Sequence, residues 1–268
     1  MNLFKKINIL ATKLAVRTIG QLSNGIQLAT KEGFTSGKML EYIYSNKPQG
    51  KFFIGKLVDS IYLNHPGWKV IRIRKENLTK NLSKAVAELL KTQDDIFICD
   101  IASGPAKYIL EVLEEYKEKN VYAQIRDIDV RWLIEAKDKA FKNNLKLEYK
   151  VADALNEDDF VFENKNPDIM VASGFYDWFN DEAVIRKSMQ LIYNSLKQGG
   201  YFVFSTQAGH VDLEMTNAVF KDFNNQQLAM AVWPQEKIRE ILSDIGFELL
   251  EVRNDEFGHY PVMLAIKK

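Results

Sequence analysis

Two rhythms divide the chain. From about Gly20 to Gln93, apolar residues recur at helical spacing and are broken by glycine, proline and asparagine, which predicts a run of helices. The stretch "TSGKMLEYIYSN" offers Ser36 as an N-cap. "GKLVDSIYLNHPGW" ends at the breaker Pro66-Gly67, and "NLSKAVAELLKTQ" offers Ser83 as a further cap. From Asp95, short apolar runs alternate with amphipathic stretches. "IFICDI" reads as a buried strand. "GPAKYILEVLEEYKEKN" reads as a helix with Pro105 in its first turn, where a missing N–H costs nothing. "VYAQIRDID" and "VRWLIEAKDKAFKNN" follow as strand and helix, and "LKLEYKVAD" and "PDIMVASG" as the third and fourth strands. "DEAVIRKSMQLIYNSLKQGG" is a helix ended by glycines, "YFVFSTQ" a fifth strand, and "PQEKIREILSDIGF" a helix opening on proline. "FELLEVR" and "PVMLAIKK" are joined too closely for a crossover helix, so they are predicted antiparallel to each other. The alternation predicts an α/β fold with a mostly parallel sheet covered on both faces. The expected division is a helical extension or lid at 1–92 and an α/β domain at 93–268.

Composition adds little to this outline. The 268 residues suffice for one large domain or a core with an appendage, and the formal net charge of zero gives no reason to expect nucleic acid. The single cysteine, Cys99, lies in an apolar run, which fits a reducing, cytoplasmic setting. The cysteine and the scattered histidines lack metal-ligand spacing, so no metal is expected. One local bias changes the picture. Lys5, Lys6, Lys13, Arg17 and Lys31 precede the first acid, Glu32. Leu3, Ile7, Leu10 and Leu14 share one helical face, and Lys6, Lys13 and Arg17 another. Such a helix either packs on the core or lies on an anionic membrane surface.

Ligands of open α/β sheets bind at the carboxyl ends of the strands. Asp100, Ala102, Ser103, Gly104 and Ala106 follow the first predicted strand, and Asp127 and Asp129 close the second. Asp153 ends the third, Ser173-Gly174-Phe175-Tyr176-Asp177 the fourth, and Gln207 and His210 follow the fifth. Gly104 allows close approach of backbone to a ligand. Asp127 lies a little over 20 residues beyond it, where a carboxylate accepts ribose hydroxyls. Asp153 is placed to accept from an adenine amino group. The same acids also suit helix caps and turns.

The pattern Asp100-x-Ala102-x-Gly104-x-Ala106 departs from the G-x-G-x-x-G that brings backbone against a pyrophosphate. It resembles the first motif of class I S-adenosylmethionine-dependent methyltransferases, an acid followed by alternating glycines. That ligand carries an amino acid, a sulfonium and an adenosine but no phosphate, so fewer glycines are needed. The closing strand pair fits the same family, whose seventh strand is inserted antiparallel. The resemblance implies a Rossmann-like seven-stranded sheet flanked by helices, with S-adenosylmethionine as cofactor and S-adenosylhomocysteine as product. The cofactor residues it implies are Asp100, Ala102, Ser103, Gly104 and Pro105, then Asp127 and Ile128, Asp153 and Ala154, and Ser173 and Gly174. "DIASGPAKYILEVL", "IRDID", "VADAL", "SGFYDWFND", "GGYFVFSTQAGHVDLEM" and "DEFGHYPVMLAIKK" are similar to a branch of bacterial methyltransferases also found fused to an α/β-hydrolase module. The likeness extends over about residues 24 to 268. Asp129 stands where the branch more often has serine, which leaves two acids able to face a ribose. Asp127 is preferred because it directly ends the apolar stretch.

Methyl transfer from a sulfonium is an in-line displacement, in which the protein chiefly aligns the partners. A hydroxyl or ammonium acceptor also needs a base. His210 is the candidate, with a helix-capping role as its alternative. Tyr176 and Asp177 sit where related enzymes contact acceptor or donor. Trp178 and Phe179 either wall the pocket or pack in the core. Tyr42 and Tyr44 could form a lid, and Arg72 or Arg74 could reach a carboxylate. The expected acceptor is a small molecule or lipid head group, with peripheral membrane contact through the N-terminal helix. Two other readings are a non-catalytic S-adenosylmethionine-binding module and a nicotinamide-dependent oxidoreductase. The missing G-x-G-x-x-G and the antiparallel ending count against the latter.

Overall fold

The computed structural model describes residues 3–163, 165–222 and 224–268. Five helices come first: α1 (Leu3–Arg17), α2 (Asn24–Lys31), α3 (Gly37–Ser45), α4 (Phe52–Leu63) and α5 (Pro66–Leu89). Then follow β1 (Asp95–Asp100), α6 (Lys107–Glu115), β2 (Asn120–Asp127), α7 (Val130–Lys142), β3 (Leu147–Val151), β4 (Ile169–Ala172), α8 (Glu182–Ser195) and β5 (Tyr201–Ser205). The chain continues through α9 (Leu213–Val219) and α10 (Gln235–Ile245) to β6 (Phe247–Arg253) and β7 (Val262–Lys267).

The seven strands form one sheet in the order β3-β2-β1-β4-β5-β7-β6. β1 lies inside the sheet, parallel to both β2 and β4, and β7 runs antiparallel to both β5 and β6. The unbroken apolar run of β1 follows from burial on both faces. Ile96 and Ile98 pack with Leu78 and Leu82 of α5 and with Ile109 and Val112 of α6. Phe97 and Cys99 pack with Ile185 and Met189 of α8 and with Ile238 and Ile241 of α10. Strand order reverses beside β1, so a crevice opens at the carboxyl ends of β1 and β4.

The chain divides into two compact units. One comprises Met1–Arg72 with His210–Met230, and the other Ile73–Gly209 with Ala231–Lys268. The division falls within α5 instead of at residue 92, because Leu78, Leu82, Ala85 and Val86 of that helix belong to the core under the sheet. α5 also runs on for 24 residues, so Ser83 is no N-cap. It sits inside the helix, and its hydroxyl donates to Glu115 Oε2 at 2.6 Å. Pro66 takes the first helical position of α5, where its ring is tolerated. Pro105, in contrast, lies in the turn before α6, which begins only at Lys107.

The first unit is organised about a buried carboxylate. Asp59 of α4 accepts from Ser23 Oγ at 2.6 Å, Gly25 N at 2.9 Å, Gln49 N at 2.8 Å and the Tyr42 hydroxyl. Ser23 in turn caps α2, accepting from Ile26 N at 3.1 Å. Ser36 caps α3 as the sequence predicts, accepting from Met39 N at 3.3 Å. Burial, with the bond to Asp59, pushes the Tyr42 phenol well above the ordinary tyrosine range. Tyr42 is therefore a structural strut and not a mobile lid. The buried stripe of α4 is Gly55, Asp59 and Leu63, and a Cβ on Gly55 would come within 2.5 Å of the Leu22 carbonyl oxygen. Replacing Asp59 by alanine would strand the Ser23 hydroxyl, the Gly25 N–H and a phenol in the interior. Asp59→Ala should lower unfolding free energy by about 3 kcal/mol or more, read from urea unfolding followed by circular dichroism.

Candidate functional site

The crevice lies in the second unit, at the carboxyl edge of the sheet. β1 ends on Asp100, whose carboxylate is fully buried. Its Oδ2 accepts from the Tyr108 hydroxyl at 2.6 Å, and its Oδ1 from Ala102 N at 3.4 Å. The tyrosine eight residues after the acid thus holds it from the first turns of α6. The turn between them hangs on its neighbours. Ile101 N donates to the Val171 carbonyl at 3.1 Å, and Ser103 N to the Arg126 carbonyl at 3.0 Å. Gly104 N donates to Asp127 Oδ2 at 2.9 Å. Gly104 has φ +51° and Ala106 φ +50°, both in the left-handed region. Glycine adopts that conformation freely, whereas alanine there costs roughly 1 kcal/mol. A Cβ on Gly104 would meet nothing within 4 Å, so backbone conformation, not crowding, demands glycine there.

Asp127 closes β2 and also accepts from Asp129 N through Oδ1 at 2.9 Å. Each oxygen retains a further lone pair. Asp129 is the N-cap of α7, accepting from Arg131 N, and pairs with the Arg131 guanidinium at 2.6 Å. Of the two acids, Asp127 is the one that faces the Gly104 turn. Ile128 beside it is 63 % exposed. Burial raises the Asp127 carboxyl above its ordinary value. Burial, with repulsion from Asp127, pushes Asp100 up to about 7. Among the described residues neither acid pairs with a cation, so the edge holds two desolvated, mutually repelling carboxylates.

Past β3, a shallow dimple too small for a water molecule is lined by Ile101, Arg126, Ala152, Asp153, Ala154, Asp159 and Phe160. Asp153 shapes its rim, its Oδ1 accepting from Leu155 N at 2.9 Å while its own N–H donates to Asp159 Oδ2 at 2.9 Å. At the end of β4, Gly174 has φ +65° and donates its N–H to Ser205 Oγ at 3.0 Å. A side chain on Gly174 would press on Arg74, its Cβ 3.2 Å from Nη1. Arg74 and Asp177 form a buried ion pair, Nη1 to Oδ2 at 3.1 Å, and the guanidinium lies 5.2 Å from the Tyr260 ring centroid. The Tyr260 hydroxyl donates to Gln207 Oε1 at 2.9 Å. Burial outweighs the arginine and pushes Asp177 up to about 6.

The structure therefore gathers Asp100, Ala102, Ser103, Gly104, Pro105 and Asp127 at one turn, with Asp153, Ala154, Ser173 and Gly174 at the adjoining strand ends. It does not bring Tyr176 there. Tyr176 is a core residue: its ring meets Phe204 edge-on at 6.0 Å, and its hydroxyl lies 3.3 Å from Ser188 Oγ on α8. In the short 3₁₀ turn that follows β4, it is Asp177, not Tyr176, that meets Arg74. His210 belongs to the first unit, where its Nδ1 accepts from Asp212 N at 3.0 Å. Arg74 is buried and pairs with the protein's own Asp177 carboxylate instead of standing at a solvated surface. Tyr260 was missed: nothing in "EFGHYPV" marks a residue that the antiparallel return of β7 carries to this edge.

This sheet order, with an inserted antiparallel β7 and acids at the ends of β1, β2 and β3, is the class I methyltransferase fold. The chain belongs to the family described as "Putative methyltransferase", whose model matches residues 2–267. It is 29 % identical over 266 residues to the uncharacterized protein YnbC of Escherichia coli (strain K12), covering 95 % of this chain and 44 % of that protein. The chain thus spans less than half the length of that curated relative. Among solved structures it resembles a protein from Bordetella parapertussis described as a possible exported protein, with TM-score 0.71 and 15 % identity over 100 % of this chain and 99 % of the other. It also resembles magnesium protoporphyrin IX methyltransferase from Synechocystis PCC 6803, solved with bound SAH. There the TM-score is 0.59 and the identity 12 %, over 88 % of this chain and 98 % of that one. A SAM-dependent methyltransferase from Methanosarcina mazei matches with TM-score 0.51 and 20 % identity, over 65 % and 93 % of the two chains. At these identities the neighbours show the fold.

The raised carboxyls at the edge set a pH dependence. Asp100 binds its proton more tightly folded than unfolded, so its contribution to stability is complete below its ordinary value of 3.8 and is lost as pH rises through about 7. Asp127 and Asp177 shift in the same direction. Stability of the wild type should therefore fall between about pH 4 and pH 7. Asp100→Asn, which keeps the acceptor for Tyr108, should flatten that fall when melting temperatures are compared across the range.

Proposed function

We propose that the protein transfers a methyl group from S-adenosylmethionine to a small-molecule or lipid-head-group acceptor. The observation that carries this reading is the pair of carboxylates on either side of the left-handed Gly104 turn, Asp100 fully buried and Asp127 half-buried, neither of which pairs with a cation among the described residues. Such an edge calls for a ligand that brings positive charge and hydroxyl donors, and it lacks the glycine spacing for a pyrophosphate. Asp127 has lone pairs left for ribose hydroxyls, and Asp100 supplies negative charge for an ammonium. Exposed Ile128 offers an apolar contact for adenine, and Asp153 stands at the neighbouring strand end as an acceptor for its amino group. Bound S-adenosylmethionine supplies a methyl group already activated on a sulfonium. What the chain adds is alignment and charge: the turn fixes the donor end, and the buried Arg74–Asp177 pair gives a rigid polar wall at the end of β4.

Because the cationic ligand favours ionised carboxylates, its affinity should rise as pH increases through about 7. Isothermal titration should show binding of S-adenosylmethionine and S-adenosylhomocysteine but not of NAD. Asp127→Ala and Gly104→Val should each weaken binding by about a hundredfold while the sheet remains folded by circular dichroism. Tight binding of the cofactor by Asp127→Ala would refute the ribose assignment. Turnover of labelled donor across metabolite and lipid extracts would identify the acceptor.

A further inference from the structure

In the first unit, the usual distribution of polar and apolar residues is inverted on two helices. None of α1 is buried, although Leu3, Ile7, Leu10 and Leu14 form a single apolar stripe along it. Leu10, for example, is 71 % exposed. A surface helix of a globular protein normally turns such a stripe inward. α4 repeats the inversion. Its buried stripe is glycine, aspartate and leucine, while Phe53, Leu57 and Ile61 on the opposite face are 84 %, 55 % and 67 % exposed. The rotation of α4 about its axis is fixed, because the Asp59 carboxylate takes donors from Ser23, Gly25, Tyr42 and Gln49. Turning Phe53 inward would pull that carboxylate out of its bonds. At the head of the helix, Phe52 is held at φ +55°, a conformation costly for a bulky residue, and its side chain is 84 % exposed. Both helices pack on the same 3₁₀ turn, Ile19–Leu22, whose Ile19 is also exposed.

The charges carried by α1 and α4 themselves are nearly all basic, although Lys5 of α1 is met by Glu214 of α9 at 2.6 Å. Asp59 is the one acid within α1 and α4, and it is buried. Lys6, Arg17 and Lys56 are exposed, and Lys51 stands at the N-cap of α4. We propose that α1 and α4 together form a docking surface for an anionic lipid bilayer, with their apolar stripes entering the interface and the lysines and arginine meeting the head groups. Apolar stripes bordered by basic side chains are the composition that such interfaces select. A second copy of the chain fits less well, since pairing the two faces would bring like charges together. The surface is built by the first unit alone and does not depend on the cofactor reading.

The test is co-sedimentation of the full chain with vesicles of mixed phosphatidylglycerol and phosphatidylcholine, and with phosphatidylcholine alone. Binding to the anionic vesicles should be stronger and should decline with salt. Phe53→Ser with Leu57→Ser should weaken it about tenfold or more, and Lys6→Glu with Lys56→Glu should abolish the preference for anionic lipid. All four side chains are exposed, so the melting temperature should match the wild type and separate a lost surface from a lost fold. Absence of binding to either vesicle, or unchanged binding by the Phe53→Ser/Leu57→Ser protein, overturns the proposal. A concentration-dependent dimer in gel filtration that the same double variant dissolves would assign the face to a second copy instead, and would overturn it too.

Discussion

The hydrogen bond from Gly104 N–H to the Asp127 carboxylate ties together the two strand ends on which the crevice depends. β1 and β2 are held in register by their backbone ladder, but a ladder does not specify how the chain leaves the sheet. Asp127 does this twice, gripping the turn after β1 through one oxygen and the start of the α7 connection through the other. Carboxylates that accept backbone N–H groups in a desolvated place fix geometry more firmly than neutral acceptors would. The cost is a half-buried charge beside Asp100. The fold tolerates that charge and does not cancel it, which leaves the edge electrostatically incomplete.

The two units use buried carboxylates to different ends. Asp59 collects so many donors that its lone pairs are largely spent, and the result is a fixed scaffold. Asp100 has one hydroxyl and one long backbone contact, and Asp127 two backbone bonds. The difference in satisfaction separates a structural acid from one with capacity for a ligand.

Much of the second unit was legible in the sequence because parallel strands buried on both faces must be written as unbroken apolar runs, and their helices as amphipathic repeats. The acids that end those runs were legible for the same reason, as polar residues at fixed places in a regular pattern. What was not legible depends on distant contacts. Serine can cap a helix or sit within one, and only the core beneath α5 decides that Ser83 is interior. After β4 the chain leaves strand geometry, so the period of two no longer tells which of Tyr176 and Asp177 faces the crevice. Ala106 gave no sign of its left-handed backbone, a conformation that local propensity argues against and the turn imposes. In the first unit, hydrophobicity alone would have turned Phe53 and Leu57 inward. The partners of a single aspartate, spread from Ser23 to Gln49, turn them outward.

The place of β7 also bears on how the protein is made. It is the seventh strand to be synthesised, yet it lies between β5 and β6, pairing with both. Until it arrives, β6 has no partner in the sheet and the exposed edge of β5 is open to other strands. Tyr260, just before β7, reaches Gln207 and Arg74 only once that strand is seated. A growing chain can therefore complete the β1–β2 turn early, while the polar wall at the end of β4 waits for the closing hairpin. Assembly of this edge is thus ordered in time, its turn side first and its Arg74 side last.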